Sequence, residues 1–297
     1  MYETAFGLTH KPFDLTSDPS YFVPTKHHNE ALAALYYGVR HHKGFVVLTG
    51  EVGTGKTLLL RCLLRLVKES ADVVCAYICN GRLSPTEFLQ YILASFGLAG
   101  SGKNKSDLLL DLGHFLASRG SRKLTTVLIV DEAHQLSTDI LEEVRLLSNL
   151  ETDDDKLLQI VLVGQPELNE TLDSPQLRQL KQRVAVRAHL GSLDADEVER
   201  YVQLRLQLAG GNHRPNPLFP AQTIAAVYWY SRGLPRLINT ICDNALVTAY
   251  AKRIPSVTPD LIREIAKEFR LDIVHQPEDD RYDDPGAIDT QRFANRL

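Results

Sequence analysis

An α/β fold is predicted, a parallel sheet sandwiched by helices (αβα) and followed by an all-helical domain, and three observations predict it. Short apolar, β-rich runs alternate with helical stretches from Phe45 to Leu190, the pattern of a parallel sheet covered on both faces. The first of these runs leads directly into GEVGTGKT at residues 50–57, a G-x-x-x-x-G-K-[ST] match that opens an apolar helix. After Ser192 the alternation stops and only helical patterns remain.

Taken in order, residues 1–43 read as an N-terminal lead-in. Phe6, Pro12, Phe13, Pro19 and Pro24 fall in extended or turn segments, and a helix from about Asn29 to Val39 carries Ala31, Leu32, Leu35 and Tyr36 at helical spacing. A core over 44–192 holds strands at Phe45 to Thr49, Val73 to Cys79, Val127 to Val130 and Leu158 to Val163, with a fifth at Val184 to Leu190. Between them, a helix from Ser84 to Phe96 opens on Ser84-Pro85-Thr86-Glu87, with serine as N-cap, proline at the first helical position and glutamate at the third. Another runs from Ser106 to Ser118. A helical lid over 193–270 contains segments at Asp194 to Ala209, Pro220 to Tyr230, Pro235 to Ala251 and Thr258 to Arg270, joined at Gly210-Gly211, Pro215, Pro217 and Gly233. Residues 271–297 lose apolar periodicity and gather charge, as a disordered tail does.

The bulk numbers fit this division. The chain has 297 residues, enough for one sizeable α/β core and a smaller second unit. With 37 acidic and 33 basic residues the formal charge is −4, so no global field draws it to nucleic acid or an anionic membrane. Cys62, Cys75, Cys79 and Cys242 lie in apolar runs without C-x-x-C spacing, which reads as reduced core thiols rather than a zinc site. No secretory leader and no run of about 18 apolar residues is present. The expectation is a soluble, cytoplasmic chain.

The chemistry starts at the glycine-rich loop. Gly50, Glu51, Val52, Gly53, Thr54 and Gly55, with Lys56, Thr57 and Leu58 at the helix start, form a cradle whose backbone N–H groups face phosphate oxygens. Lys56 is expected on the β and γ phosphates of ATP and the Thr57 hydroxyl on Mg2+. Residues 127–132, VLIVDE, place two carboxylates at a strand's C-terminal end, where open α/β sheets put ligands. Asp131 is expected to hold the magnesium through water and Glu132 to deprotonate the attacking water. Gln165, following the strand Leu158 to Val163, is positioned to orient that water. Residues 131–134 spell DEAH, but no second RecA-like half accompanies them, so a helicase is set aside. Arg178 and Arg183 precede the fifth strand in LRQLKQRVAVR, where an arginine can reach a neighbouring subunit's ATP, and Arg183 is favoured for adjoining the strand. Arg236 stands in the first turn of a helix, a poor place for a cation unless an anion faces it. His27, His28, His41 and His42 lack partners at ligand spacing and read as surface histidines. Tyr228-Trp229-Tyr230 reads as packing between helices.

Taken together, GEVGTGKT, VLIVDEAH, VLVGQPEL, LRQLKQRVAVR and GLPRLIN, in this order, resemble the AAA+ ATPases and, more narrowly, the ExeA or GspA type of general secretion pathway ATPase. The opening FGLTHKPFDLTSDP and HHNEALAALYYGV look like that family's lead-in. The resemblance implies a P-loop NTPase core with an AAA+ lid, Asp131 and Glu132 as Walker B pair, Gln165 at sensor 1, Arg183 as arginine finger and Arg236 as sensor 2. It also implies adenine between lead-in and lid, near Phe13 and His28. Secretion members of the family continue into a transmembrane helix and a peptidoglycan-binding region, which the polar end of this sequence does not match. The function expected is hydrolysis of ATP with Mg2+, coupled to rearrangement of a homo-oligomeric ring or filament. The expected client is a secretion, pilus or polysaccharide export system, with a protein partner holding the chain at the inner membrane. A DNA-binding regulator of transposition and an ATP-gated scaffold with little turnover stay open as alternatives.

Overall fold

The computed structural model describes residues 1–68, 72–79, 83–152, 155–211 and 216–271. Apart from Leu271, the expected tail lies outside them, as does Pro215. Along the chain run α1 (Tyr2–Ala5), α2 (Lys26–Arg40), β1 (Phe45–Gly50), α3 (Lys56–Lys68), β2 (Val73–Ile78), α4 (Pro85–Ser95), α5 (Lys105–Gly120), β3 (Thr125–Val130), α6 (Thr138–Leu147), β4 (Gln159–Gly164), α7 (Glu167–Asp173), α8 (Arg178–Arg183), β5 (Val184–Leu190), α9 (Ala195–Leu208), α10 (Ala221–Ser231), α11 (Pro235–Ala251) and α12 (Pro259–Glu268). They form two units, one of residues 17–192 and one of residues 1–16 together with the chain from Leu193 onward.

In the larger unit the strands lie in the order β2-β3-β4-β1-β5, and every pairing is parallel. The three inner strands are buried along their whole length, which is why they read as continuous apolar runs. Successive residues of β1 serve opposite faces. Phe45 and Val47 enter a core with Phe88, Leu89, Leu112 and Ile140 from α4, α5 and α6. Val46 and Leu48 enter another with Leu35 and Val39 of α2 and Leu59 and Leu63 of α3. The predicted αβα layering is therefore present. The Ser84–Glu87 capping box is formed in both directions, an arrangement worth about 1 kcal/mol. The sequence reading does not single out α6, α7 and α8. Two of these span only seven and six residues, too short for a helical period to declare itself.

The smaller unit gathers α9 to α12 around buried Val198, Val202, Ile238, Ile241, Leu246 and Ile262. Gly233 turns the chain into α11 at φ 73°. A Cβ there would fall 1.9 Å from the Leu193 carbonyl oxygen, whereas the glycine carbonyl accepts from Leu193 N at 2.9 Å.

The lead-in expected over 1–43 is divided between the units. Residues 1–16 are claimed by the helical one because their backbone and aromatic groups find partners there. Arg205, 2% exposed, donates to the carbonyls of Pro12 at 2.5 Å and Asp14 at 2.9 Å. Tyr2 donates to Asp243 at 2.5 Å, and Phe13 meets Phe219 edge to face with centroids 5.7 Å apart. From Ser17 the chain joins the sheet unit, where Arg61 of α3 donates to the Ser17 carbonyl at 2.9 Å. No helix among the described residues is long and apolar enough to cross a membrane.

Candidate nucleotide site

The strand order sets the site. β4 lies between β3 and β1, so the residues following these three strands share one edge of the sheet. After β1 the glycine-rich loop turns through Gly53 and Gly55, both at positive φ, and is closed by Thr54 Oγ1 donating to the Glu51 carbonyl at 2.8 Å. Lys56, 7% exposed, bends back and donates to the carbonyls of Gly50 at 2.7 Å and Glu51 at 2.9 Å. Burial lowers its ammonium pKa, while Glu132, Asp131, Glu51 and Glu167 pull the other way. A buried cation ringed by carboxylates and held, among the described residues, by two neutral carbonyls suits a triphosphate, whose charged oxygens make the stronger acceptors.

Asp131 is 4% exposed and fixed on every side. Its N–H donates to the Ile78 carbonyl at 2.7 Å, and its Oδ1 accepts from Glu132 N at 2.9 Å. Its Oδ2 accepts from Tyr77 Oη at 2.6 Å and lies 3.4 Å from Thr57 Oγ1. Burial, then the Asp131 hydrogen bond, pushes the Tyr77 phenol far above its ordinary range, so it serves as a donor at any working pH. One hydroxyl and one carboxylate side by side are the modest donor set that suits magnesium, which keeps most of its water and takes phosphate oxygens.

Glu132 adopts the left-handed conformation at φ 54°, ψ 34°, and its side chain is 40% exposed. The short helical turn it starts, Ala133–Gln135, carries His134 towards the end of β4. Gln165 follows Gly164 there, its side-chain Nε2 2.9 Å from His134 Nε2.

The arginines fall differently. Arg183 is half-buried and donates to Ser148 Oγ, with the Arg145 carbonyl 3.4 Å away, so it caps the negative C-terminal end of α6. Arg178, at the start of α8, is exposed. Arg236 is exposed in the first turn of α11, in the other unit, where its carbonyl accepts from Thr240 Oγ1 at 3.0 Å.

Two expectations need correction. His28 is 5% exposed, not a surface residue. Its Nε2 donates to the Thr54 carbonyl at 3.1 Å and its Nδ1 lies 2.8 Å from Thr25 Oγ1, so it ties α2 to the phosphate loop. His42 is also engaged, 2.5 Å from Asp155 Oδ2 and 3.1 Å from Thr125 Oγ1. Cys79 is exposed rather than a core thiol, because β2 ends one residue earlier. Sequence reasoning missed Tyr77, His134 and the role of His28. Tyr77 looked like any strand aromatic, and the contacts that give the histidines their place, Thr54 for His28 and Gln165 for His134, lie 26 and 31 residues away in sequence.

Comparison with known proteins agrees with this geometry. Residues 39–172 match the AAA domain family. The chain is 45% identical over 254 residues to general secretion pathway protein A of Aeromonas hydrophila, a match covering 85% of this chain and 45% of that protein. The chain thus spans about half the length of the curated relative it matches. Among solved structures it is similar to the Aeropyrum pernix ORC2 protein, with TM-score 0.66 and 18% identity over 87% of this chain and 71% of that one. It is also similar to Cdc6p of Pyrobaculum aerophilum, with TM-score 0.65 and 19% identity over 86% and 70%. The RuvB branch migration motor of Thermotoga maritima gives TM-score 0.55 and 16% identity over 84% and 70%. At such identities these structures speak for the fold alone.

Proposed function

We propose, from the premise that this chain belongs to the AAA+ proteins with its sequence of the general secretion pathway protein A type, that it binds ATP with magnesium and hydrolyses it. The cycle drives rearrangement of an oligomer of this chain that serves assembly of a secretion, pilus or polysaccharide export system, reached at the inner membrane through a protein partner. The observation that carries the reading is the convergence of Lys56, Thr57, Asp131, Glu132 and Gln165 where β1, β3 and β4 end.

Lys56 exchanges the Gly50 and Glu51 carbonyls for phosphate oxygens as nucleotide enters. Thr57 and Asp131 would hold a magnesium ion, which would supply positive charge to offset that of the phosphates. Tyr77 and Glu132 N–H keep the Asp131 carboxylate from rotating. Glu132, solvent-facing at the strand end, takes the proton from the attacking water, and Gln165 orients that water. Arg183, or the exposed Arg178, completes the site of a neighbouring subunit, and Arg236 answers the γ phosphate from the helical unit. The envelope client rests on the 45% identity to general secretion pathway protein A.

The test separates grip from chemistry. Lys56→Ala is expected to lose binding of a fluorescent ATP analogue, while Glu132→Gln keeps that binding and loses phosphate release by about a hundredfold or more. Phosphate release by Glu132→Gln at the parental rate removes Glu132 as the base.

A further inference from the structure

Between Glu132 and Gln165 the structure places a third side chain with no role so far, His134. Three features hold it there. Ala133 is fully buried and pins the turn, which is closed by Gln135 N donating to the Glu132 carbonyl at 2.9 Å and Leu136 N to the Ala133 carbonyl at 3.2 Å. Gly164 lets β4 approach closely: a Cβ at that position would sit 3.1 Å from His134 N. The imidazole, 13% exposed, then lies with Nδ1 3.5 Å from Glu132 Oε2 and Nε2 2.9 Å from Gln165 Nε2.

One proton assignment serves both neighbours. With the proton on Nδ1, the ring presents N–H to the Glu132 carboxylate and a lone pair on Nε2 to the Gln165 amide N–H. The Gln165 backbone N–H also reaches Nδ1, at 3.4 Å, a hydrogen bond that the ring accepts in its other tautomer. The Nδ1–H assignment turns the Gln165 amide NH2, and not its carbonyl oxygen, to the ring. It also gives Glu132, in a left-handed conformation that costs about 1 kcal/mol for a residue with a Cβ, a partner that fixes its carboxylate.

We propose that His134 is a positioning residue that yokes Glu132 to Gln165, so that the two side chains acting on the attacking water move as one. The inference rests on the hydrolysis reading above. It goes beyond it in stating that Glu132 and Gln165 do not act independently, and that displacement of the Gln165 amide is passed through a rigid ring to the base. Asp131 meets Glu132 through the Glu132 backbone N–H, a contact that leaves the Glu132 carboxylate and the His134 ring free of the phosphate grip, so nucleotide binding is read separately from the yoke.

The experiment is a double-mutant cycle on the full chain, with phosphate release and fluorescent-ATP binding measured for the parent, His134→Ala, Gln165→Ala and the pair. His134→Ala is expected to lower kcat about ten- to a hundredfold, the cost of a misplaced reacting group, with analogue affinity and KM within about twofold of the parent. The pair is expected to be no slower than Gln165→Ala alone, because both changes break one linkage. His134→Asn, which can offer an N–H and an acceptor, is expected to recover part of kcat and guards against a folding defect in the alanine variant. The yoke is overturned if His134→Ala turns over like the parent, if the two losses multiply, if binding falls in step with kcat, or if His134→Asn is as slow as His134→Ala. A parent that binds the analogue yet releases no phosphate overturns the hydrolysis reading itself, and the yoke with it.

Discussion

Cysteine reactivity offers a direct check on how individual side chains are placed. Burial pushes the Cys75 thiol up to about 11 and the Cys242 thiol well above its ordinary value, and thiolate is the species that alkylates. Cys79 is exposed. Iodoacetamide at pH 8 is therefore expected to label Cys79 first in the native protein, with Cys242 labelled only after denaturation, as read by peptide mass spectrometry. Raising the pH towards 11 should bring Cys75 in. Labelling of Cys242 as fast as Cys79 contradicts the packing around α11. The same contrast shows what the sequence made legible at this scale. GEVGTGKT and VLIVDE are short, contiguous and chemically unusual, so Lys56, Thr57, Asp131 and Glu132 could be read in advance. Tyr77 and His28 act through partners 54 and 26 residues away, a distance that only the folded sheet closes.

Among the elements, the turn into α11 is the most constrained. Gly233→Ala meets two costs at once, a left-handed backbone and a methyl overlapping the Leu193 carbonyl. The expected loss is on the order of 3 kcal/mol or more, seen as a lower denaturant midpoint with α-helical signal lost first. A variant as stable as the parent would mean that this turn yields more readily than its geometry implies. The strands and the long helices were legible because their periods repeat over enough residues. The capping box at Ser84 was legible letter by letter. By contrast α7 and α8 are too short to show a period, and the break within the lead-in has no composition signal. It is set by where Arg205, Asp243 and Phe219 lie in space.

For the whole molecule, the trans arginine is the feature that a single subunit cannot display. Arg183 is occupied with Ser148 and the end of α6, so service to a neighbour requires it to leave a contact, whereas Arg178 is already exposed. Specific ATPase activity is expected to rise with protein concentration in the parent. Whichever of Arg178→Ala and Arg183→Ala abolishes that rise, while keeping analogue binding, marks the finger. Activity that is flat with concentration and unchanged in both variants rejects a shared site. Loss of folding stability in Arg183→Ala alone would assign that residue to capping α6.

The attachment of the first sixteen residues to the helical unit also governs how the polypeptide can be dissected. A boundary drawn near residue 43, where the apolar alternation begins, cuts the arm carrying Tyr2 and Phe13 away from the helices it covers. It takes from the enclosed guanidinium of Arg205 the two carbonyls it grips. The helical unit is thus a discontinuous one, and a fragment starting at Leu193 needs residues 1–16 returned to it, by fusion or as a separate peptide, before it can be produced and crystallised by itself.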